Sequence, residues 1–241
     1  MIMKNIINSL GFLLVLLTLA SCEQGEKFDY AGGNQVYFAT PADSSFYSFA
    51  TQASTLKETV VMIPVAVSGK AALMDREIKV EVMKSGTTAK EGNDLASGAH
   101  FHLGKTVLKA NEIETSIPVT VFRQKDMAGT EVIVRLRIVP DENFLGGMGA
   151  SVLEHKFKIN DILTKPGNWD SYIRRYFGEY GPVKYQFIID HLGRYDFQET
   201  GEDSVSRAEM AYYKDKLRTY LIEYEKENGP LYDEGNVRVT F

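Results

Sequence analysis

Val132-Ile133-Val134-Arg135-Leu136-Arg137-Ile138 sets Val132, Val134, Leu136 and Ile138 against Ile133, Arg135 and Arg137 on the alternate positions. Successive side chains of a strand point to opposite faces, so this stretch has one face to bury and one that carries charge into water. The same period recurs on both sides of it. Upstream, Ile78, Val80 and Val82 alternate with Glu77, Lys79 and Glu81, and Ile113, Ile117, Val119 and Val121 alternate with Glu114, Ser116 and Thr120. Downstream, Phe157 and Ile159 alternate with Lys156 and Lys158. In Val60 to Val67 the odd positions Val61, Ile63, Val65 and Val67 are apolar, and Pro64 predicts an edge strand or a bulge because it donates no ladder hydrogen bond. With Gln35 to Ala39 and a short run near Phe101 to Leu108, seven or eight strands are expected. No helical pattern intervenes, so each strand hides its apolar face against another sheet. The predicted architecture is a two-sheet sandwich over residues 35–161.

Composition limits what such a sandwich does. Apolar content of 44% and charged content of 24% are those of a globular protein. The net charge of -5 leaves no basic surface for phosphates, so no nucleic acid partner is expected. At the other end of the chain, Lys4 precedes an apolar run from Leu10 to Ala20 and then Cys22, the order of an export signal over residues 1–21. The run is shorter than the roughly 20 apolar residues that cross a bilayer. Leu19-Ala20-Ser21-Cys22 resembles a bacterial lipobox, which implies cleavage before Cys22 and acylation of that residue, the only cysteine in the chain. Residues 22–34 read as a tether, being polar and bearing Gly25, Gly32 and Gly33. The mature chain then depends on its core alone, with no disulfide.

The segments "GTTAKEGNDL" (Gly86 to Leu95), "HFHL" (His100 to Leu103), "IPVTVFR" (Ile117 to Arg123) and "NFLGG" (Asn143 to Gly147) resemble a Calx-beta, immunoglobulin-like strand order. More closely, these together with "KPGNWD" (Lys165 to Asp170), "YFGEYGPVKYQFIID" (Tyr176 to Asp190) and "YYKDKLRTYL" (Tyr212 to Leu221) are similar to the lipoprotein family of the domain of unknown function forty-eight forty-three. The resemblance implies an outer-membrane, cell-surface lipoprotein. It also implies an outer-membrane SusC-type transporter and a SusD-like protein as partners, and a non-catalytic accessory role in capturing a nutrient, expected to be a polysaccharide. The alternative is a scaffold module that docks on the transporter and binds no glycan. Calcium-binding Calx-beta domains use clustered acids. The matching Glu91, Asp94, Asp141 and Glu142 are interleaved with Gly92, Asn93 and Pro140, read as turn residues, and no cofactor or metal is expected.

Composition shifts after Asp161. Ten of the thirteen tyrosines and the single tryptophan follow it, and Lys165-Pro166-Gly167 marks the boundary of a tyrosine-rich α+β region over residues 162–241. Trp169 to Phe177 reads as a short helix stopped by Gly178, and Pro182 opens another that runs to Asp190. Ser206 and Glu209 have capping-box spacing at the start of a helix over 207–227. On it Met210, Tyr213, Leu217, Tyr220, Leu221 and Tyr224 form the core stripe. Gly229 and Pro230 stop that helix, and Val237, Val239 and Phe241 mark a last strand.

Several constellations fall short of chemistry. His100 and His102 share a strand face but have no third metal ligand at matching spacing. Asp190, Asp196, Glu199, Glu202 and Asp203 supply carboxylates without a fixed facing pair. Ser204 and Ser206 lack a nucleophile-elbow context, and Gly146, Gly147 and Gly149 lack the strand-to-helix setting of a phosphate loop. No catalytic residue is therefore expected. The candidate ligand-binding residues are Trp169, Tyr172, Tyr176, Tyr180 and Tyr232, which fall outside the core stripe. Aromatic rings suit the flat CH faces of sugars. Packing of these rings at the junction between sandwich and helices is the competing reading.

Overall fold

In the computed structural model, which describes residues 33–40, 45–145 and 149–241, the alternating segments become ten strands of a two-layer sandwich. In chain order these are β1 (Gln35–Phe38), β2 (Ser45–Ser48), β3 (Glu58–Ser68), β4 (Arg76–Ile78), β5 (Val80–Val82), β6 (Phe101–Leu103), β7 (Thr106–Leu108), β8 (Glu114–Phe122), β9 (Val132–Ile138) and β10 (Glu154–Asn160). One sheet has the order β1-β3-β8-β6 and the other β2-β10-β9-β5, while β4 and β7 pair as a separate ribbon. All pairings are antiparallel except that of β2 with β10. Val132, Val134, Leu136 and Ile138 of β9 point into the same core as Ile117, Val119 and Val121 of β8, and each such side chain contributes about 1.5–3 kcal/mol when taken from water. On the outer face of β9, Arg135 and Arg137 both donate to Glu154 of β10 at 2.8 Å.

Three strand expectations change. The alternation of 76–82 is not one strand. Lys79 breaks it, β4 pairing with β7 and β5 with β9, so the chain changes sheets there while keeping its alternation. The run near 101–108 divides in the same way between β6 and β7. Pro64 does not mark an edge, since β3 lies between β1 and β8. Its carbonyl accepts from Ala39 N at 3.0 Å just beyond the end of β1. A residue's N and C=O lie on the same side of a strand, so the missing donor faces the place where the neighbour stops. Pro118 of β8 repeats this arrangement, its carbonyl accepting from Gly104 N just past the end of β6.

The short helix α1 (Ala150–Leu153) precedes β10. Beyond the sandwich, a π-helical turn over Trp169–Ile173 runs into α2 (Arg174–Phe177) and stops at Gly178, followed by α3 (Pro182–Leu192) and α4 (Arg207–Asn228). The capping box of Ser206 and Glu209 is present in both directions. A second core gathers Trp169, Tyr172, Phe177, Tyr185, Ile188, Phe197 and Leu217. Of the expected stripe on α4, Met210, Leu217 and Leu221 are buried, whereas Tyr213, Tyr220 and Tyr224 are half-buried at the rim of that core. The last strand is β12 (Val237–Arg238), paired with β11 (Tyr232–Asp233). Asp233 accepts from Val183 N at 3.2 Å and Lys184 N at 2.9 Å, and so caps the first turn of α3 from fifty residues away. A Cβ on Gly181 would lie 1.8 Å from Asp233 Oδ2, so only glycine admits this approach.

Residues 34–241 form one compact unit. Polar ties brace it. Arg123, at the end of β8, makes two parallel 2.8 Å bonds to Asp161 and a third of 2.9 Å to Ala53 O. Asp190 of α3 accepts from Ser54 N at 2.6 Å, Ser54 Oγ at 2.7 Å and Gln186 Nε2 at 2.9 Å.

Candidate functional site

A cleft of about 710 Å³ opens where β2, the end of β10, the connection 162–168 and the loop after α3 come together. Each wall has a local cause. On β2, Phe46 and Ser48 share a face by the two-residue period, while Tyr47 turns toward the sandwich core and meets Phe49 edge-on at 5.0 Å. Phe46 is 56% exposed. The parallel edge strand that carries it is held by side chains as well as by its ladder. Ser45 Oγ lies 2.7 Å from His155 Nε2, and Ser48 Oγ donates to Asn160 Oδ1 at 2.8 Å. His155 is buried and stacked on Phe38 at 4.9 Å, and its burial holds the imidazole below its ordinary pKa, favouring the neutral ring. Asn160 Oδ1 also accepts from Ile162 N at 3.3 Å.

The opposite wall is a braced loop. Gly193 ends α3 in the left-handed conformation, and the chain then places Tyr195, Asp196 and Gln198 on the cleft. Tyr185 donates its phenol proton to Tyr195 O, and burial pushes that phenol's pKa up, so it remains a donor. Arg194 donates to Asp196 O at 2.5 Å and to Asp203 O at 2.8 Å, and Asn168 Nδ2 donates to Phe197 O at 2.8 Å. Gln198 Nε2 donates to Asp196 Oδ1 at 2.7 Å. The Tyr195 ring, 48% exposed, therefore stands on a fixed backbone. Ile162, Leu163 and Pro166 supply apolar surface between the walls. The whole is a concave site with exposed rings and amide or hydroxyl groups within one opening, which suits a ligand having flat apolar faces and polar edges.

None of the five aromatic residues expected at the site lines this cleft. Trp169 is fully buried, its Nε1 donating to Gly178 O at 3.1 Å, and Tyr172 is buried with its hydroxyl donating to Val205 O at 2.6 Å. Both are core residues, because each polar tip finds a backbone carbonyl inside the fold and leaves no ring face for a ligand. Tyr176 packs edge-on against Tyr172 at 5.7 Å, and Tyr180 packs against Trp169 at 5.1 Å. Tyr180 borders a different, smaller cleft, and Tyr232 is exposed on β11. Cys22 lies outside the described residues, as does most of the tether. Phe46 and Tyr195 carried a faint sequence signal: one sits in a four-residue strand too short to show a period, the other two residues past a helix-stopping glycine.

Several of the remaining polar candidates have structural partners. His100 Nδ1 accepts from Lys90 N at 2.9 Å, and its Nε2 faces Asp126 at 3.1 Å. The hydrogen bond from His100 holds the Asp126 carboxyl below the usual carboxylate range. Asp94 caps the turn at Ser97 N, and Asp141 accepts from Asn143 N and Phe144 N, so both occupy oxygens on turn amides. Among the described residues no three His, Cys, Asp or Glu side chains come together to hold a metal ion. Among them, too, no helix is long and apolar enough to cross a membrane.

The family model for the domain of unknown function DUF4843 matches residues 30–194, which takes in the sandwich and α3 and stops one residue before Tyr195. No curated protein matches the sequence. Among solved structures, a Bacteroides ovatus protein provisionally named as carbohydrate binding is similar with a TM-score of 0.35 and 14% identity, over 54% of this chain and 37% of its own. A two-domain Bacteroides fragilis protein of unknown function is similar with a TM-score of 0.36 and 12% identity, over 53% of this chain and 45% of its own. The apo-form Calx CBD1 domain is similar with a TM-score of 0.36 and 14% identity, over 54% of this chain and 98% of its own.

Proposed function

This chain belongs to the DUF4843 family, and from that premise we propose that it is a non-catalytic, lipid-anchored binding protein that captures a saccharide in the cleft between β2 and the loop after α3. The observation that carries the proposal is the pairing of Phe46 and Tyr195, both about half exposed, on the two walls of one opening lined by Asn160, Asn168 and Gln198. Among the described residues the lining contains one carboxylate, Asp196, where glycoside hydrolysis needs a facing pair. Acylation at Cys22 holds the protein on the outer membrane at the cell surface, beside a SusC-type transporter and a SusD-type protein. Two acyl chains give stable anchoring where one binds only reversibly.

Calorimetric titration of the chain from residue 22 onward against a panel of oligosaccharides is expected to find a saturable ligand. Phe46→Ala and Tyr195→Ala should each weaken it about tenfold, equivalent to about 1.4 kcal/mol, with the melting temperature unchanged. Flat titrations throughout the panel would refute the cleft's role. Labelled palmitate is expected to enter the full chain and to be lost in Cys22→Ser; equal labelling of both would refute the anchor.

A scaffold role on the transporter would draw on another surface. Val60 and Met62, 53% and 55% exposed on the outer face of β3, form an apolar pair there. Flat glycan titrations together with co-purification of the transporter would favour that reading.

A further inference from the structure

We propose that the cleft selects uncharged saccharides and rejects uronic-acid and sulfated ones, an inference that rests on the saccharide reading above. The discriminating feature is the sign of the charge in the opening. Among the described residues no lysine or arginine lines it, and Asp196 is the one acidic side chain of that lining. Tyr185, a phenol of the lining, stays neutral because burial opposes its ionisation and its hydroxyl donates to Tyr195 O.

The cations nearest in sequence are committed elsewhere. Arg194 donates from Nε and Nη2 to the carbonyls of Asp196 and Asp203 and lies over the Phe197 ring at 5.9 Å, Lys165 pairs with Asp170 at 2.6 Å, and Lys158, which faces Phe46 across the β2–β10 ladder, pairs with Glu131 at 3.1 Å. A sugar carboxylate or sulfate entering between Phe46 and Tyr195 would give up hydration without gaining a cation and would meet the Asp196 carboxylate as a like charge. The protein's net charge of -5 adds to that repulsion. Sugar hydroxyls meet the opposite situation. Asp196 Oδ2 accepts from them, the Asn160 amide donates to them, and the rings take their CH faces.

The test titrates the chain against neutral oligosaccharides from glucan, mannan and xylan, and in parallel against oligogalacturonate, alginate and chondroitin sulfate fragments. A neutral ligand is expected to bind with affinity that changes about twofold at most between low and high salt, as for a site without ion pairing. Every acidic fragment should bind about tenfold or more weakly than it. Asp196 is exposed, so Asp196→Lys keeps the fold, and it should narrow that difference by about tenfold by admitting the acidic fragments. An acidic fragment that binds as tightly as the best neutral one, or an Asp196→Lys variant with unaltered selectivity, would overturn the inference and leave the saccharide site standing. Absence of binding to both groups would overturn the site and the inference together.

Discussion

Trp169→Ala is expected to lower the free energy of unfolding by about 4 kcal/mol, within the range for removing a buried tryptophan. Its indole is fully buried, meets Tyr180 at 5.1 Å and Tyr185 at 5.5 Å, and donates to Gly178 O at 3.1 Å. Alanine would therefore leave a cavity ringed by aromatic side chains and also orphan the carbonyl that ends α2. In a chain of this size such a loss moves the melting temperature by about 10 °C. Trp169→Phe, which retains most of the volume and loses the N–H donor, should cost about 1 kcal/mol. Circular dichroism during urea denaturation reads both variants, since the chain's own fluorescence reporter is the residue replaced. A Trp169→Ala variant as stable as the parent but unable to bind saccharide would restore this residue to the site and remove it from the core.

Arg123→Ala is expected to cost about 3–5 kcal/mol, the penalty for leaving one half of a buried ion pair alone. The arginine and Asp161 are only 11% and 16% exposed, and the guanidinium also holds Ala53 O and lies over Phe49 at 5.8 Å. Removing both partners should cost less than the two single losses combined, because the double variant leaves no uncompensated charge. A double-mutant cycle by urea denaturation measures the difference. Strict additivity of Arg123→Ala and Asp161→Ala would mean that the pair does not act as a unit. Since Asp161 closes β10 and the cleft begins at Asn160 and Ile162, the cycle also measures how firmly the cleft's floor is fixed to the sandwich.

The sandwich was legible in the sequence because burial on one face writes a period of two, and that signal is strong where strands are long. Helix α4 was legible for a similar reason, its capping box and glycine stop adding to the period of its apolar residues. What stayed hidden depended on contacts remote in sequence. Alternation through 76–82 is the same whether one strand or two carry it, so the change of sheet at Lys79 left no mark. Pro64 pointed to an edge because the sequence does not say where the neighbouring strand ends. Strand β2 could not be read at all, being four residues long and held by His155 and Asn160, more than a hundred residues away. Two of the aromatic candidates, Trp169 and Tyr172, are core residues for a chemical reason. A tyrosine or tryptophan whose polar tip meets a backbone carbonyl inside the fold has the same composition signal as one whose ring faces a ligand. Trp169 and Tyr172 are of the first kind, whereas Tyr195 is 48% exposed on the cleft.

The cap that Asp233 places on α3 has a consequence for the order in which the molecule is made. During synthesis, or passage through any pore that admits the polypeptide from its leading end, the α3 segment emerges fifty residues before the carboxylate that satisfies its first amides. Val239, a member of the same core, comes later still. Among the described residues the sandwich needs nothing beyond Asn160 to complete its ladders, whereas α3 needs the carboxylate of Asp233 for its first amides, so the last residues of the chain are required by the second core and not by the first.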